Sequence, residues 1–307
     1  MSINGLSAIF TSKTQSSRRL AIRTYMMIAV LCSLLACSSC GGGGTTSTTS
    51  RNSGNTGTST YNWNGTWTMV WNDEFNTADG SAPDSSKWTY DLGGGGWGNQ
   101  ELETYTNLSE NVQISSGNLV ITAVQKTSGT TTSYTSARLK TQGLFSQQYG
   151  RFEARIKIPA GQGLWPAFWM LGNNITTAGW PTCGEVDIME NIGKLPATNY
   201  GSIHAPGPSG EASLGGEYDA AGKLSDDFHI YAVEWEPGEM RFYVDSTLYE
   251  SHKIADFASS SSWVFDQQPM FLIMNVAVGG SWPGGPDSTT SFPQQMLVDY
   301  VRVYKRQ

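Results

Sequence analysis

Three acids fall within six positions in the segment Gly184-Glu185-Val186-Asp187-Ile188-Met189-Glu190-Asn191. Carboxyl groups that face one reacting bond can supply both a nucleophile and a proton, so the chemistry open to such a segment needs no cofactor. On a regular strand, residues two apart share a face. Glu185 and Asp187 then point together, while Val186 and Ile188 point toward a core. Glu190 has the wrong parity. One extra residue, a β-bulge around Ile188-Met189, returns it to the face of the other two acids, and bulges occur beside active sites where they re-aim a side chain. With that bulge Glu185 and Glu190 stand about four strand steps apart, roughly 13 Å of backbone at ~3.3 Å per residue, so curvature and leaning side chains must bring the carboxyl groups together. The bland alternative is an acidic strand edge in solvent. Alternation with Val, Ile and Met argues against it: the other face is apolar, and three like charges in a row are tolerated mostly where function uses them.

The elements that must hold these acids read as strands. Asn118-Leu119-Val120-Ile121-Thr122-Ala123, residues 151–158, Arg241-Phe242-Tyr243-Val244-Asp245 and residues 297–304 alternate apolar with polar or aromatic residues, between clusters of Gly, Pro, Asn and Asp that supply turns. The chain has 307 residues, 35 of them Gly, with 11 Trp, 13 Tyr and 11 Phe and only 15% charged residues. That composition suits short strands, many turns and an aromatic-lined surface, and does not suit a helical bundle. Two antiparallel sheets packed face to face form the most economical all-β architecture, and one domain of this length is ordinary for it.

Residues 1–36 carry Lys13, Arg18, Arg19 and Arg23 without an acid, followed by an apolar run from Tyr25 to Ala36. This is the order of a secretory signal, and the run is shorter than the roughly 20 apolar residues that cross a bilayer. Leu34-Leu35-Ala36-Cys37 resembles a bacterial lipoprotein signal, with Cys37 as the lipidated residue. Such an anchor would tether an exported, otherwise soluble protein to a membrane at the cell surface or in the periplasm; ordinary cleavage and secretion is the alternative. Residues 37–60, rich in Gly, Ser and Thr, are too polar to offset the entropy of ordering and read as a flexible linker to a domain at 61–307. Loss of the basic leader deepens the formal charge of −7, which disfavours nucleic acid and heavily sulfated polymers as partners. Only Cys183 lies in the body of the chain, so the domain is expected to hold together by burial without a disulfide.

The acid motif, in its bulged form, resembles the catalytic motif of glycoside hydrolase family 16. So do Trp71-Asn72-Asp73-Glu74-Phe75-Asn76, Gly163-Leu164-Trp165-Pro166-Ala167-Phe168-Trp169-Met170-Leu171 and Asn275-Val276-Ala277-Val278-Gly279-Gly280-Ser281-Trp282-Pro283-Gly284, which are similar to the laminarinase branch of endo-1,3-β-glucanases. The resemblance covers essentially all of 61–307. It implies a jelly-roll sandwich with a concave substrate cleft, a β-glucan substrate and a monomer. It also implies a retaining double displacement, for which the two carboxyl groups must approach to ~5–5.5 Å. Glu185 would be the nucleophile, Glu190 the general acid/base, and Asp187 between them would help keep Glu185 ionised and Glu190 protonated.

Sugar rings present apolar C–H faces, so Trp platforms are the expected lining of such a cleft. Trp165 and Trp169, four apart, share a strand face and lie together in the cleft or together in the core; Trp97 and Trp282 lie on loops. Asn99, Arg138 and His204 occupy stretches that look like family cleft positions, with a structural role as the alternative for each. His229 and His252 carry no functional cue. No cofactor is implied for catalysis. A structural calcium is implied by the resemblance, at Glu74, Gly117 and Asp299, through backbone carbonyls and one carboxylate. An agarase or mixed-linkage glucanase on the same fold, a transglycosylase and a non-catalytic glucan-binding module are the rival readings.

Overall fold

A computed structural model describes residues 65–307. The leader, the linker and the start of the domain, with Cys37, lie outside the described residues.

Seventeen strands account for most of the domain: β1 (Trp67–Asp73), β2 (Thr89–Asp91), β3 (Glu103–Tyr105), β4 (Val112–Ser115), β5 (Asn118–Ser128), β6 (Thr131–Ser136), β7 (Arg138–Lys140), β8 (Gly150–Lys157) and β9 (Leu164–Gly172) lead up to the acid motif. The motif itself is β10 (Glu185–Glu190). It is followed by β11 (Thr198–Gly207), β12 (Gly210–Asp219), β13 (His229–Glu236), β14 (Glu239–Val244), β15 (Thr247–Lys253), β16 (Met270–Val278) and β17 (Gln294–Arg306). One helical turn, Ile175–Ala178, sits between β9 and β10. The strands form two sheets. The outer one runs β15-β14-β13-β8-β17-β5-β6-β3, with β1 on β17 and β4 on β5, and the inner one runs β12-β11-β10-β9-β16-β7-β2. All pairings are antiparallel except β3 with β6.

The sandwich core lies between the sheets. From the inner sheet come Phe168, Met170, Val186, Ile188, Met189, Leu272, Met274 and Val276; from the outer sheet come Phe152, Ala154, Ile156, Val233, Trp235, Val301 and Val303. Full burial of a large apolar side chain contributes about 1.5–3 kcal/mol, so this interdigitated layer supplies the main driving force. The four strand segments read from the sequence fall in β5, β8, β14 and β17. β5 departs from simple alternation, since Leu119 through Ala123 are all buried. Strand β16 is buried at all nine positions. Its second face joins Leu171, Cys183, Phe271 and Ile273 in a smaller cluster, against which Trp169 packs. Cys183 is thus a buried free thiol serving as a small apolar residue.

Candidate active site

The bulge is present. Along the β9–β10 ladder Asp187 faces Trp169 and Met189 faces Phe168, which leaves Ile188 as the extra residue. Val186, Ile188 and Met189 all enter the sandwich core, two of them consecutive, and Glu190 emerges on the face of Glu185 and Asp187. Burial of two adjacent apolar side chains in one core is what the bulge makes possible, and re-aiming Glu190 is its result.

Register then sets the cleft floor in cross-strand rows. Tyr200, Glu190, Ala167, Asn275, Arg138 and Asp91 lie abreast on six neighbouring strands. One step along, Ser202, Asp187, Trp169 and Ile273 form the next row, and His204, Glu185, Leu171 and Phe271 the one after. Above this floor is a cleft of about 390 Å³ whose lining includes Trp97, Asn99, Glu101, Arg138, Trp165, Trp169, Trp180, Glu185, Asp187 and Glu190.

Each glutamate is held by an indole. Trp165 Nε1 donates to Glu190 Oε1 at 2.8 Å, and Trp180 Nε1 donates to Glu185 Oε2 at 3.0 Å. Ser202 Oγ donates to Asp187 Oδ2 at 2.6 Å, and His204 Nε2 lies 3.1 Å from the same oxygen and 4.0 Å from Glu185 Oε1. Burial, and then the negative charge of Asp187, push both glutamates up, Glu185 to about 8 and Glu190 well above the usual carboxyl range. Asp187 therefore raises both. Their other partners overlap. His204, the Trp180 indole and Arg138 favour the charge on Glu185; the Trp165 indole and His204 favour it on Glu190, where the charge of Glu185 opposes it. Burial opposes a charge on His204, yet the hydrogen bond and charge of Asp187, with Glu185 and Glu211, carry it up to about 10. Carboxyl groups this close titrate as an interacting pair and not one by one.

The family model for glycosyl hydrolases family 16 matches residues 99–302. The chain belongs to glycoside hydrolase family 16. It is 45% identical over 251 residues to the beta-glucanase of Rhodothermus marinus, covering 78% of this chain and 85% of that protein. It is 37% identical over 262 residues to glucan endo-1,3-beta-glucosidase A1 of Niallia circulans, again over 78% of this chain but only 38% of that longer protein. Among solved structures, the laminarinase catalytic domain of Thermotoga maritima superposes with a TM-score of 0.70 at 45% identity, covering 78% of this chain and 99% of that one.

This family 16 hydrolase brings the sequence-derived cleft residues together. Trp165 and Trp169 share the cleft face, and Trp169 Nε1 donates to Asn275 Oδ1 at 2.8 Å. Arg138 lies between Trp97 and Trp169, 5.0 and 4.6 Å from their ring centroids, and its Nε is 3.0 Å from Asp91 Oδ2. That guanidinium braces the loop carrying Trp97. Asn99 Nδ2 donates to Glu101 Oε1 at 3.0 Å. Trp282 extends the aromatic surface past Trp165, with edge contacts to Trp165 at 5.4 Å and to Tyr200 at 5.0 Å. Gly280 allows this crowding: its φ is +109°, and a Cβ there would stand 3.2 Å from the Trp165 ring. His229 and His252 lie on the outer-sheet strands β13 and β15, paired with Asp245 and Glu250, and take no part in the cleft.

At two places the structure adds contacts that the sequence does not show. His204 contacts carboxylates through both ring nitrogens, so it serves the acids before any sugar. At the implied calcium positions both Glu74 oxygens accept from Arg302, at 2.9 and 2.8 Å, and Asp299 Oδ2 accepts from Arg155 at 2.8 Å. Their negative charge already has guanidinium counter-charges. Trp180, Ser202 and Glu211 were not found by sequence reasoning. Trp180 stands five residues before Glu185 in a Gly-Trp-Pro turn, and only its tertiary path back to the nucleophile reveals its role.

Proposed function

We propose that this protein is a retaining endo-1,3-β-glucanase acting on laminarin-like β-glucans. The observation that carries the reading is the bulge at Ile188, which sets Glu185 and Glu190 on one face of an open, tryptophan-lined cleft. Names of relatives support the substrate class: those from Niallia circulans and Thermotoga maritima are an endo-1,3-beta-glucosidase and a laminarinase. Glu185 attacks the anomeric carbon as the glycosidic C–O bond breaks, and Glu190 gives its proton to the leaving oxygen. Glu190 then takes a proton from water, which attacks the same carbon and frees Glu185. Two inversions preserve the β configuration. Proton NMR of reducing ends released from laminarin, read before mutarotation, should show β first; an initial α signal would exclude the glycosyl-enzyme. A product profile on laminarin, mixed-linkage glucan, agarose and xyloglucan tests the substrate, and predominant cleavage of agarose would favour the rival agarase.

The proposal extends to export, with residues 1–36 as a signal, 37–60 as a linker and Cys37 as a lipid anchor holding a monomeric domain at a membrane. A structural Ca2+ at Glu74, Gly117 and Asp299 belongs to the proposal only with main-chain carbonyls as principal donors, since the two carboxylates face arginines. A melting temperature identical in EDTA and in millimolar CaCl2 would remove it.

A further inference from the structure

Glu211 lies near the tip of the β11–β12 hairpin, on the edge strand of the inner sheet, directly across from Pro206. Its burial pattern places it on the cleft side of β12 together with Ser213, Gly215 and Glu217, while Ala212, Leu214 and Tyr218 turn inward. From there its Oε1 reaches the Nδ1 of His204. The other ring nitrogen, Nε2, is 3.1 Å from Asp187 Oδ2 and 4.0 Å from Glu185 Oε1. The groups facing this imidazole are therefore Glu185 and Asp187 from β10, Glu211 from β12 and, on its own strand, Ser202, whose hydroxyl proton is given to Asp187. The Trp180 ring, 6.3 Å away, closes the remaining side, and Arg138 acts on Glu185 from across the cleft.

An imidazole between two carboxylates is satisfied at both nitrogens only as the doubly protonated cation. In either neutral tautomer one lone pair would face an oxygen anion. The geometry points to Glu211 as a positioning residue that, by holding His204 in its cationic form, lets Glu185 ionise at lower pH than its burial beside Asp187 would otherwise allow. Glu211 touches no reacting atom. It acts at one remove, through a ring it orients, on the oxygen that the family reading makes nucleophilic, and to that extent the inference rests on that reading. The cation offsets part of what burial and Asp187 do to Glu185. Because the Glu211 side chain is 38% exposed, water screens the coupling and its effect is a shift in pH dependence with little loss at the optimum.

The sign follows directly. Removal of the Glu211 charge lowers the pH at which His204 loses its proton. A neutral His204 no longer favours the Glu185 anion, so Glu185 ionises at higher pH and the acid limb of kcat/KM moves up. The test compares Glu211→Gln with Glu217→Gln, which removes an equal charge from the same face of the same strand, across from Tyr200. Laminarin hydrolysis should show the acid limb of Glu211→Gln displaced upward by about 0.5 to 1 pH unit, with Glu217→Gln unmoved. The chain has three histidines, so 15N-labelled imidazole signals can be assigned by substitution of each. His204 should stay cationic from pH 6 to 8 in the parent and titrate within or closer to that range in Glu211→Gln. An unmoved acid limb with an unmoved His204 titration overturns the proposal, and so does an equal displacement in Glu217→Gln, which would mean only a diffuse surface charge. The NMR arm reads the coupling whether or not Glu185 is the nucleophile. Failure of the functional reading would appear separately, as an active Glu185→Gln enzyme.

Discussion

At the scale of single residues, the site depends on two glutamates whose buried environments push both up. Glu185→Gln keeps the shape and loses the attacking charge, so turnover on laminarin should fall by about 10³-fold or more with an unchanged melting temperature. Glu190→Gln should cost about 10²- to 10⁴-fold on glucan, and much less on an aryl glucoside whose leaving group needs no proton. Steady-state kinetics on both substrates check this, and parent-like rates in either variant on glucan would remove the mechanism. The Glu190 proton, retained far above the ordinary carboxyl range, should also set the alkaline limb of the parent profile, and that limb should be lost in Glu190→Gln. The three acids were legible in the sequence because strand parity and one bulge sufficed to align them. Trp180 and Glu211 were not, because each comes from another segment: Trp180 reaches Glu185 through a turn before β10, and Glu211 reaches His204 from the edge strand β12.

At the scale of elements, the bulged strand β10 is the device on which the site is built. Deleting Met189 leaves Glu-Val-Asp-Ile-Glu, in which plain alternation still aligns the acids. It also removes a buried core side chain and draws Glu190 closer to Glu185 by about one strand step, roughly 3.3 Å. We expect the variant to fold with stability lowered by about 2–5 kcal/mol and turnover reduced more than tenfold, as read by denaturant melts and laminarin kinetics. Parent-like turnover would mean that facing parity alone suffices. A second device is the end of β9. A Cβ on Gly172 would lie 2.0 Å from the Cys183 carbonyl oxygen, so Gly172→Ala must part β9 from the approach to β10. Its melting temperature should drop by several degrees, with turnover falling in parallel because Glu185 pairs with Leu171 next door.

At the scale of the whole molecule, the outer sheet supplies the second face of the core and the inner sheet the chemistry. Among the described residues no helix is long and apolar enough to cross a membrane. If Cys37 carries a lipid, the full-length protein should sediment with membranes, and Cys37→Ala should release it with its activity intact. Cell fractionation with N-terminal sequencing is the check, and a soluble parent whose mature N-terminus lies away from Cys37 would exclude the anchor.

Fold class, the identity and facing of the three acids and the aromatic character of the cleft can be read along the chain. These follow from period-two alternation, one parity break and composition, all of which act locally along the chain. Tertiary structure alone decided the rest. Arg138 became a brace between two indoles, and Glu74 and Asp299 became partners of arginines on neighbouring strands. His204 came to lie between Asp187 and Glu211, and two glutamates were buried on either side of a third acid, which pushes both up. The physical reason is common to all four: charge, hydrogen bonding and desolvation depend on which distant strands lie side by side, and register between strands is set by the packed core, not by neighbours in sequence.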